Sequence, residues 1–389
     1  MRRAVLAYVT LYVAVAAYSP YLQQYYKSLG LSLGTIGALA AFTSAVALIS
    51  APTWGAIHDR YPTSRLLLPM AAGIGALGAA GLATAGASWL LIPSAAAFAM
   101  GMAGMGPMMD VRVLDMAGSE RTRYARIRVW GSISFMVATP IVGFAIGEDY
   151  RSLFFVAVPM ILVGGLAAML LPGRAGGVHG ASLRRAPGRV LGHRPIALFL
   201  IGAFVGWTAV YSQYAFFSIY LRQIGASSDQ IGLAWSIQAA LEIPSMFFFP
   251  QLSRRFGTER LIVLGMAIMA LRLIVNAFFV SPTILIACSL MQGAGYGLAL
   301  IGGISFVSRQ APKGTAATAQ GILNAVTFSL SSIIGSGVGG QVAGWLTIRG
   351  LYAITAVLGL VAIVLVALAV LPASGQAALE PPPAPRPAD

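Results

Sequence analysis

The sequence predicts an all-α integral membrane protein: twelve transmembrane helices forming two pseudo-symmetric six-helix bundles. Three observations lead there. Hydrophobic residues make up 58% of the 389 and charged residues only 9%, with a mean hydropathy of +0.81. A soluble domain carries about 25% charge, so a soluble enzyme or binding module is excluded. Next, a bilayer crossing needs about 20 apolar residues, and apolar stretches run almost end to end, which leaves room for about a dozen crossings. Finally, the chain repeats itself. A shift of 195 residues aligns Tyr25 with Tyr220, Gly30 with Gly225, Ser32 with Ser227, Ile36 with Ile231 and Gly37 with Gly232. Without a gap it then brings Arg60 over Arg255, Arg65 over Arg260 and Leu66 over Leu261.

Apolar runs broken by Gly, Pro or charge place the first six crossings at 4–26, 33–56, 66–87, 89–116, 122–147 and 150–172. The second six fall at 196–221, 230–252, 260–280, 283–308, 316–345 and 350–371. The N-terminal bundle is then 1–172 and the C-terminal bundle 196–371. Between them, 173–195 is rich in Gly, Pro and Arg and reads as a flexible cytoplasmic linker. The tail 372–389, with its run of prolines, reads as disordered. Arg2 and Arg3 before an apolar run have the look of a cleaved leader, but the run is too long and too Tyr-rich, and is taken as the first crossing.

The net charge of +14 would point to nucleic acid in a soluble chain. Here the positive-inside rule accounts for it. With the N-terminus in the cytoplasm, inside segments carry Arg2, Arg3, Arg60, Arg65, Arg121, Arg123, Arg126, Arg174, Arg184, Arg185, Arg189, Arg194, Arg254, Arg255, Arg260, Arg309, Lys313 and Arg386, which is 18 residues. Only Lys27, Arg151, Arg222 and Arg349 fall outside. Both termini are therefore expected in the cytoplasm, in a multi-pass cell membrane protein whose counter-charge is anionic lipid and not nucleic acid. A monomer is expected. One Cys and three His argue against disulfides and a metal cluster. His58, His179 and His193 fall in loops, and neither a nucleophile with a base nor an ATP-binding loop is present, so no enzyme and no ATP-driven pump is expected. The Gly73-Ile-Gly75-Ala-Leu-Gly78 stretch lies inside an apolar run with no preceding strand; with Gly335, Gly337, Gly339 and Gly340 it reads as close helix packing and not as a dinucleotide loop.

Ionisable residues inside crossings are costly unless paired or hydrated and mark functional sites. The candidates are Asp110, Arg112, Asp115, Arg128, Glu242 and Arg272. With the turn between crossings four and five centred near Ser119, Asp110 and Arg128 lie at equal depth on adjacent antiparallel helices. They can pair, either as a structural salt bridge or in substrate binding and coupling. Arg112 and Asp115 are nearer the cytoplasm, where both can snorkel out, and both read as structural. Glu242 lies mid-crossing, and Arg272 is about as deep in the next helix. Burial favours a protonated carboxyl and a nearby guanidinium an ionised one. Alternation between such surroundings lets Glu242 load and release a proton; a permanent Glu242–Arg272 ion pair is the other reading. The first crossing carries Tyr8, Tyr12, Tyr18, Tyr21, Tyr25 and Tyr26, and its repeat partner carries Trp207, Tyr211, Gln213, Tyr214 and Tyr220. Those near helix ends read as interfacial anchors. Tyr12, Trp207, Tyr211 and Gln213 lie deeper and are candidates to hold an amphipathic ring.

Gly55-Ala-Ile-His-Asp59-Arg60-Tyr-Pro-Thr-Ser-Arg65 resembles the loop signature G-x-x-x-D-R-x-G-x-x-R of the major facilitator superfamily, departing at Pro62. The resemblance covers essentially the whole chain. It implies a two-bundle transporter working by alternating access, with Gly55, Asp59, Arg60 and Arg65 as a conformational latch. Arg126-Ile-Arg128-Val-Trp130-Gly131 is similar to the R-x-R-x-[FW]-G segment of lactose permease, whose second Arg binds sugar with an acidic partner 18 residues earlier; Asp110 stands at that spacing. Leu241-Glu242-Ile243 with Met246-Phe-Phe-Phe-Pro250 resembles the phenylpropionate transporters. The tenth crossing has Gln292 and lacks the His, Lys and Glu of lactose permease.

The resemblance thus implies a proton-coupled importer of a small organic solute, such as an aromatic carboxylate, sugar or nucleoside, needing no cofactor beyond the proton gradient. Asp110, Arg128, Tyr12, Trp207, Tyr211 and Gln213 would contact the solute, and Glu242, Arg272 and Asp110 would handle the proton. The alternative is a proton-driven exporter. Thr139-Pro140-Ile-Val-Gly143 echoes the G-P-x-x-G segment of antiporters, with Thr139 in place of the Gly before Pro.

Overall fold

The computed structural model describes residues 2–61, 63–86, 88–117, 121–171, 186–312 and 314–377. Among these, twelve helices are long and apolar enough to cross a membrane. We label them α1 (Arg2–Ser28), α2 (Leu33–Arg60), α3 (Leu67–Ala85), α4 (Leu91–Met116), α5 (Arg126–Ile146) and α6 (Tyr150–Met169), then α7 (Arg194–Gln223), α8 (Ser228–Phe256), α9 (Thr258–Phe278), α10 (Pro282–Gln310), α11 (Ala316–Trp345) and α12 (Ile348–Pro372). Most ends fall within a few residues of the sequence reading. The expected linker 173–195 contains a short helix, Ala186–Leu191, and α7 starts at Arg194; 173–185 lies outside the described residues. Helix also continues to Ala377, past the expected start of the tail; 378–389 lies outside the described residues.

The repeat has a local cause at the start of α2 and α8. Gly30 and Gly225 both take positive φ, 82° and 98°, which L side chains rarely adopt. Two residues on, Ser32 accepts from the Thr35 N–H at 3.1 Å, and Ser227 forms a capping box with Gln230. Glycine turns the chain and serine supplies the acceptor that the first helical turn lacks.

The packing repeats as well. In the first half α1 packs on α5 and α6, α3 on α4 and α6, and α2 on α4. The second half reproduces every pair: α7 on α11 and α12, α9 on α10 and α12, α8 on α10. Small residues allow the close pairs, as where Gly78 of α3 meets the Phe98 backbone of α4. Two further pairs, α2 with α11 and α5 with α8, join the halves.

These joints are tight at one face only. We call the face bearing the chain ends the termini face and the other the far face. Near the far face a Cβ on Gly37 would lie 2.7 Å from Gly340 Cα, and one on Gly232 would lie 2.5 Å from the Thr139 carbonyl oxygen. Ser236 donates to the Met136 carbonyl at 2.6 Å, Ser228 to the Tyr150 hydroxyl at 3.0 Å, and Arg222 pairs with Glu148. One apolar core joins the N-terminal half to Phe216, Ile219, Ile231, Ala343 and Tyr352 of the other half. The termini-face part of the second half has a core of its own. Toward the termini face, Gly55 of α2 and Gly321 of α11 have no atom within 4 Å of where a Cβ would stand. The molecule is closed at the far face and splayed at the termini face.

The tyrosines expected as interfacial anchors brace the first half at this face, and the Tyr21 hydroxyl also packs against Gly232 of the other half. Tyr21, Tyr25 and Tyr26 are buried; Tyr21 donates to the Thr139 carbonyl at 2.6 Å and Tyr25 to that of Leu82 at 2.5 Å. A hydroxyl that finds a carbonyl inside the bundle has no need of the interface.

A central cavity between the halves

The splayed halves enclose a central cavity of about 680 Å³. Tyr12 of α1 and Arg128, Ser132 and Phe135 of α5 line one side; Trp235, Gln238 and Glu242 of α8, Tyr296 of α10 and Phe328 of α11 line the other. Arg128 and Glu242 are its charged lining groups, one from each half.

Arg128 is already matched. Its Nη1 donates to both Asp110 carboxylate oxygens, at 2.8 and 3.0 Å, and the Tyr8 hydroxyl donates to Oδ1 of the same carboxylate. The equal-depth argument from the sequence is consistent with this pairing. The Arg128 and Asp110 side chains keep 43% and 29% of their surface exposed, so the pair is not sealed from the cavity that Arg128 lines. Tyr12 stands one turn above Tyr8, ring centroids 6.2 Å apart, and its ring lies over Gly131, where a Cβ would come within 2.8 Å of Cδ2. Gly131 therefore gives Tyr12 its place beside Arg128.

Across the cavity, neither a hydrogen bond nor an ion pair to a described residue engages the Glu242 carboxylate. Aromatic rings surround it. Trp207, Tyr211 and Tyr214 form a ladder up α7 with centroids 6.4 and 6.0 Å apart, continued to Trp235 at 5.5 Å. Trp207 meets Tyr296 edge-on at 5.0 Å, so it backs the cavity lining and does not face the cavity itself. Phe328 sits in a π-helical stretch, Ala325–Leu330, of α11; such bulges re-aim side chains and cluster at functional sites.

Gln213 and Arg272 lie elsewhere. Arg272 is fully buried within the second half. Its guanidinium donates to Gln213 Oε1 at 3.3 Å, Gln292 Oε1 at 3.0 Å and Ser289 Oγ at 3.3 Å, and lies 4.5 Å from the Phe217 ring centroid. These partners are neutral, and the structure contains no Glu242–Arg272 ion pair. Gln213, expected to contact solute, is fully buried against Arg272 and does not line the central cavity.

The loop signature is held differently from expectation too. Gly55 has no close neighbour, so in this conformation the close helix approach is at Gly37. Arg112, expected to snorkel, is 1% exposed; it donates to the Ser64 carbonyl beside exposed Arg65 and, at 3.5 Å, to that of Ala168. It ties Ser64, just before α3, to α4 and α6. Asp59 and Arg60 close the last turn of α2, with Arg60 5.9 Å from the Tyr61 ring. Sequence reasoning left Tyr8 among the anchors and missed Trp235, Gln238, Tyr296 and Phe328. Tyr8 was findable: it stands one helical turn from Tyr12.

Comparison with known proteins places the chain. The profile of the MFS_1 like family matches residues 2–354. The chain is 27% identical to maltose permease of Geobacillus stearothermophilus over 86% of each protein. It is 24% identical to a putative nucleoside transporter, YegT, of Escherichia coli over 80% of this chain and 77% of that one. A multi-drug resistance efflux pump PmrA homolog of Lactococcus lactis is 23% identical over 85% and 84%. The crystal structure of nucleoside transporter NupG superposes with a TM-score of 0.81 over 95% of this chain and 98% of that one, at 16% identity, and so shares the fold. With the profile spanning nearly the whole chain and twelve membrane-crossing helices paired alike in two halves, this protein is a multi-pass membrane transporter belonging to the MFS_1 like family of the major facilitator superfamily.

Proposed function

We propose that the protein is a proton-coupled symporter that imports a small, neutral, ring-bearing polyhydroxylated solute, a nucleoside or a sugar, with its termini face in the cytoplasm. The observation that carries the reading is the charge arrangement of the cavity. Arg128 is neutralised by Asp110, Arg272 is sealed away, and Glu242 has no ionic partner among the described residues. A carboxylate solute would meet an occupied guanidinium and an acidic group, which favours a neutral one. The aromatic walls suit the face of a sugar or base, and Gln238, Ser132 and the Asp110–Arg128 pair suit its hydroxyl and carbonyl groups. Glu242 is the group to bind and release the proton, because a carboxyl with no fixed counter-charge changes protonation with its hydration as the halves rock. The cytoplasmic placement of the termini follows from the arginine distribution. The maltose and nucleoside transporters among its relatives are in keeping with the solute class.

The test is proton movement in proteoliposomes on adding uridine, maltose or phenylpropionate, with wild type and Glu242→Gln. Uptake of uridine or maltose with protons following it inward, and proton movement lost in the variant while solute exchange persists, is the expected result. Proton efflux on solute entry would make the protein an antiporter, and solute flux with no proton movement would make it a facilitator. A response to phenylpropionate alone would overturn the neutral-solute reading.

A further inference from the structure

Beyond the central cavity, toward the sealed face, lies a second chamber of about 250 Å³ between the halves. It meets the cavity at Ser19 and Trp235, which line both. Its walls carry no charge. Tyr211, Tyr214 and Trp235 form the aromatic side; Ser19, Gln23, Thr43 and Ser44 come from one half and Ser332 and Ser336 from the other.

Proton accounting shows what these hydroxyls offer. Thr43 and Ser44 each donate to the Ala40 carbonyl, at 3.0 and 2.9 Å. A hydroxyl has one proton, so the 2.9 Å contact between Ser44 Oγ and Ser332 Oγ across the halves is donated by Ser332. All three oxygens line the chamber or its rim and keep acceptor capacity that these bonds do not use. At water's share of ~30 Å³, the chamber holds about eight non-hydrogen atoms, close to the size of a ribosyl group.

We propose that this chamber is a recognition subsite for the glycosyl hydroxyls of the solute, while the ring or base to which they are attached rests on the aromatic walls of the central cavity. The proposal rests on the neutral-solute reading above. The chamber lies between the cavity and the Gly37–Gly340 crossing, so a solute arriving from the far face meets it before meeting Glu242. The Ser44–Ser332 bond is the one a glycosyl hydroxyl would replace as the halves part. The subsite therefore selects for hydroxyls ahead of the coupling site.

The test is binding to the purified full-length protein, read by tryptophan fluorescence, with uridine, uracil and maltose as probes. Three proteins are compared: wild type, Ser44→Ala/Ser332→Ala, and the nearly isosteric Thr43→Val. Wild type should prefer uridine to uracil. The double variant should lose about tenfold in affinity for whichever of uridine or maltose is bound and Thr43→Val about threefold, as expected for lost neutral hydrogen bonds. Uracil affinity and the thermal midpoint should stay put. Glycoside binding that is unchanged in all three proteins, or uridine and uracil falling by the same factor, overturns the subsite and leaves the neutral-solute reading standing. Failure of wild type to bind either uridine or maltose overturns both.

Discussion

The seal at the far face rests on two glycine crossings, and adding one methyl group tests it. A Cβ at Gly37 would collide with the Ser336 carbonyl oxygen and lie 2.7 Å from Gly340 Cα. Carbon atoms rest at ~3.5 Å or more, so in Gly37→Ala, α2 and α11 must part by roughly 0.8 Å. Overpacking of this kind costs about 1–3 kcal/mol, and here only the far-closed conformation bears it. At ~1.4 kcal/mol per decade, the equilibrium shifts toward far-face opening by about 5- to 150-fold. The gain of ~1 kcal/mol in helix propensity from Gly to Ala applies to both conformations and leaves the shift unaffected. Gly232→Ala acts on the same equilibrium through α5, and the two factors should multiply. The assay replaces Cys288, the single cysteine, with Ser, places Cys at Ser19 in the cavity wall, and times labelling by a membrane-impermeant maleimide added at the far face. Labelling should accelerate by those factors in each single variant and by their product in the double. An unchanged rate in both single variants would refute the claim that these crossings close the far face.

Three further outcomes follow from the geometry. Arg128→Met removes the nitrogen that donates to both Asp110 oxygens and strips the carboxylate of its counter-charge, and solute transport should fall at least tenfold while expression persists; wild-type transport in this variant would remove the pair from the site. Arg112→Ala leaves the Ser64 and Ala168 carbonyls without their donor, a loss of about 2–4 kcal/mol to be read as a lower thermal midpoint, whereas a merely snorkelling Arg112 would leave the midpoint unmoved. Gly131→Val displaces the Tyr12 ring from the cavity wall and should raise the solute KM about tenfold, with kcat changing less, in transport assays; an unaltered KM would remove Tyr12 from the site.

The axial positions of groups were legible in the sequence and their azimuths were not. Counting residues from the turn near Ser119 put Asp110 and Arg128 at one depth on neighbouring helices, and neighbours in sequence are neighbours in a bundle. The same counting put Arg272 level with Glu242, but depth says nothing of direction, and Arg272 turns inward onto Gln213, Gln292 and Ser289. Trp235, Gln238, Tyr296 and Phe328 escaped because they meet α1 and α5 across the gap between halves, from distant parts of the sequence. Phe328 carries the added displacement of a π-helical stretch, which shifts every later residue by part of a turn. The glycine pair Gly37 and Gly232 was visible as a repeat, but its partners Gly340 and Thr139 lie on helices that the repeat alone does not bring near.

The crossings at Gly37 and Gly232 have no side chain of their own. In a gate closed by a Phe or an Arg, a rotamer flip opens a gap within picoseconds to nanoseconds, whereas whole bundles move in microseconds to milliseconds. Where backbone presses on backbone, the fast route does not exist. At Gly37, where only backbone atoms of Ser336 and Gly340 stand opposite, water and ions can pass only when an entire half moves, which confines uncoupled leak at that crossing to the timescale of the transport cycle.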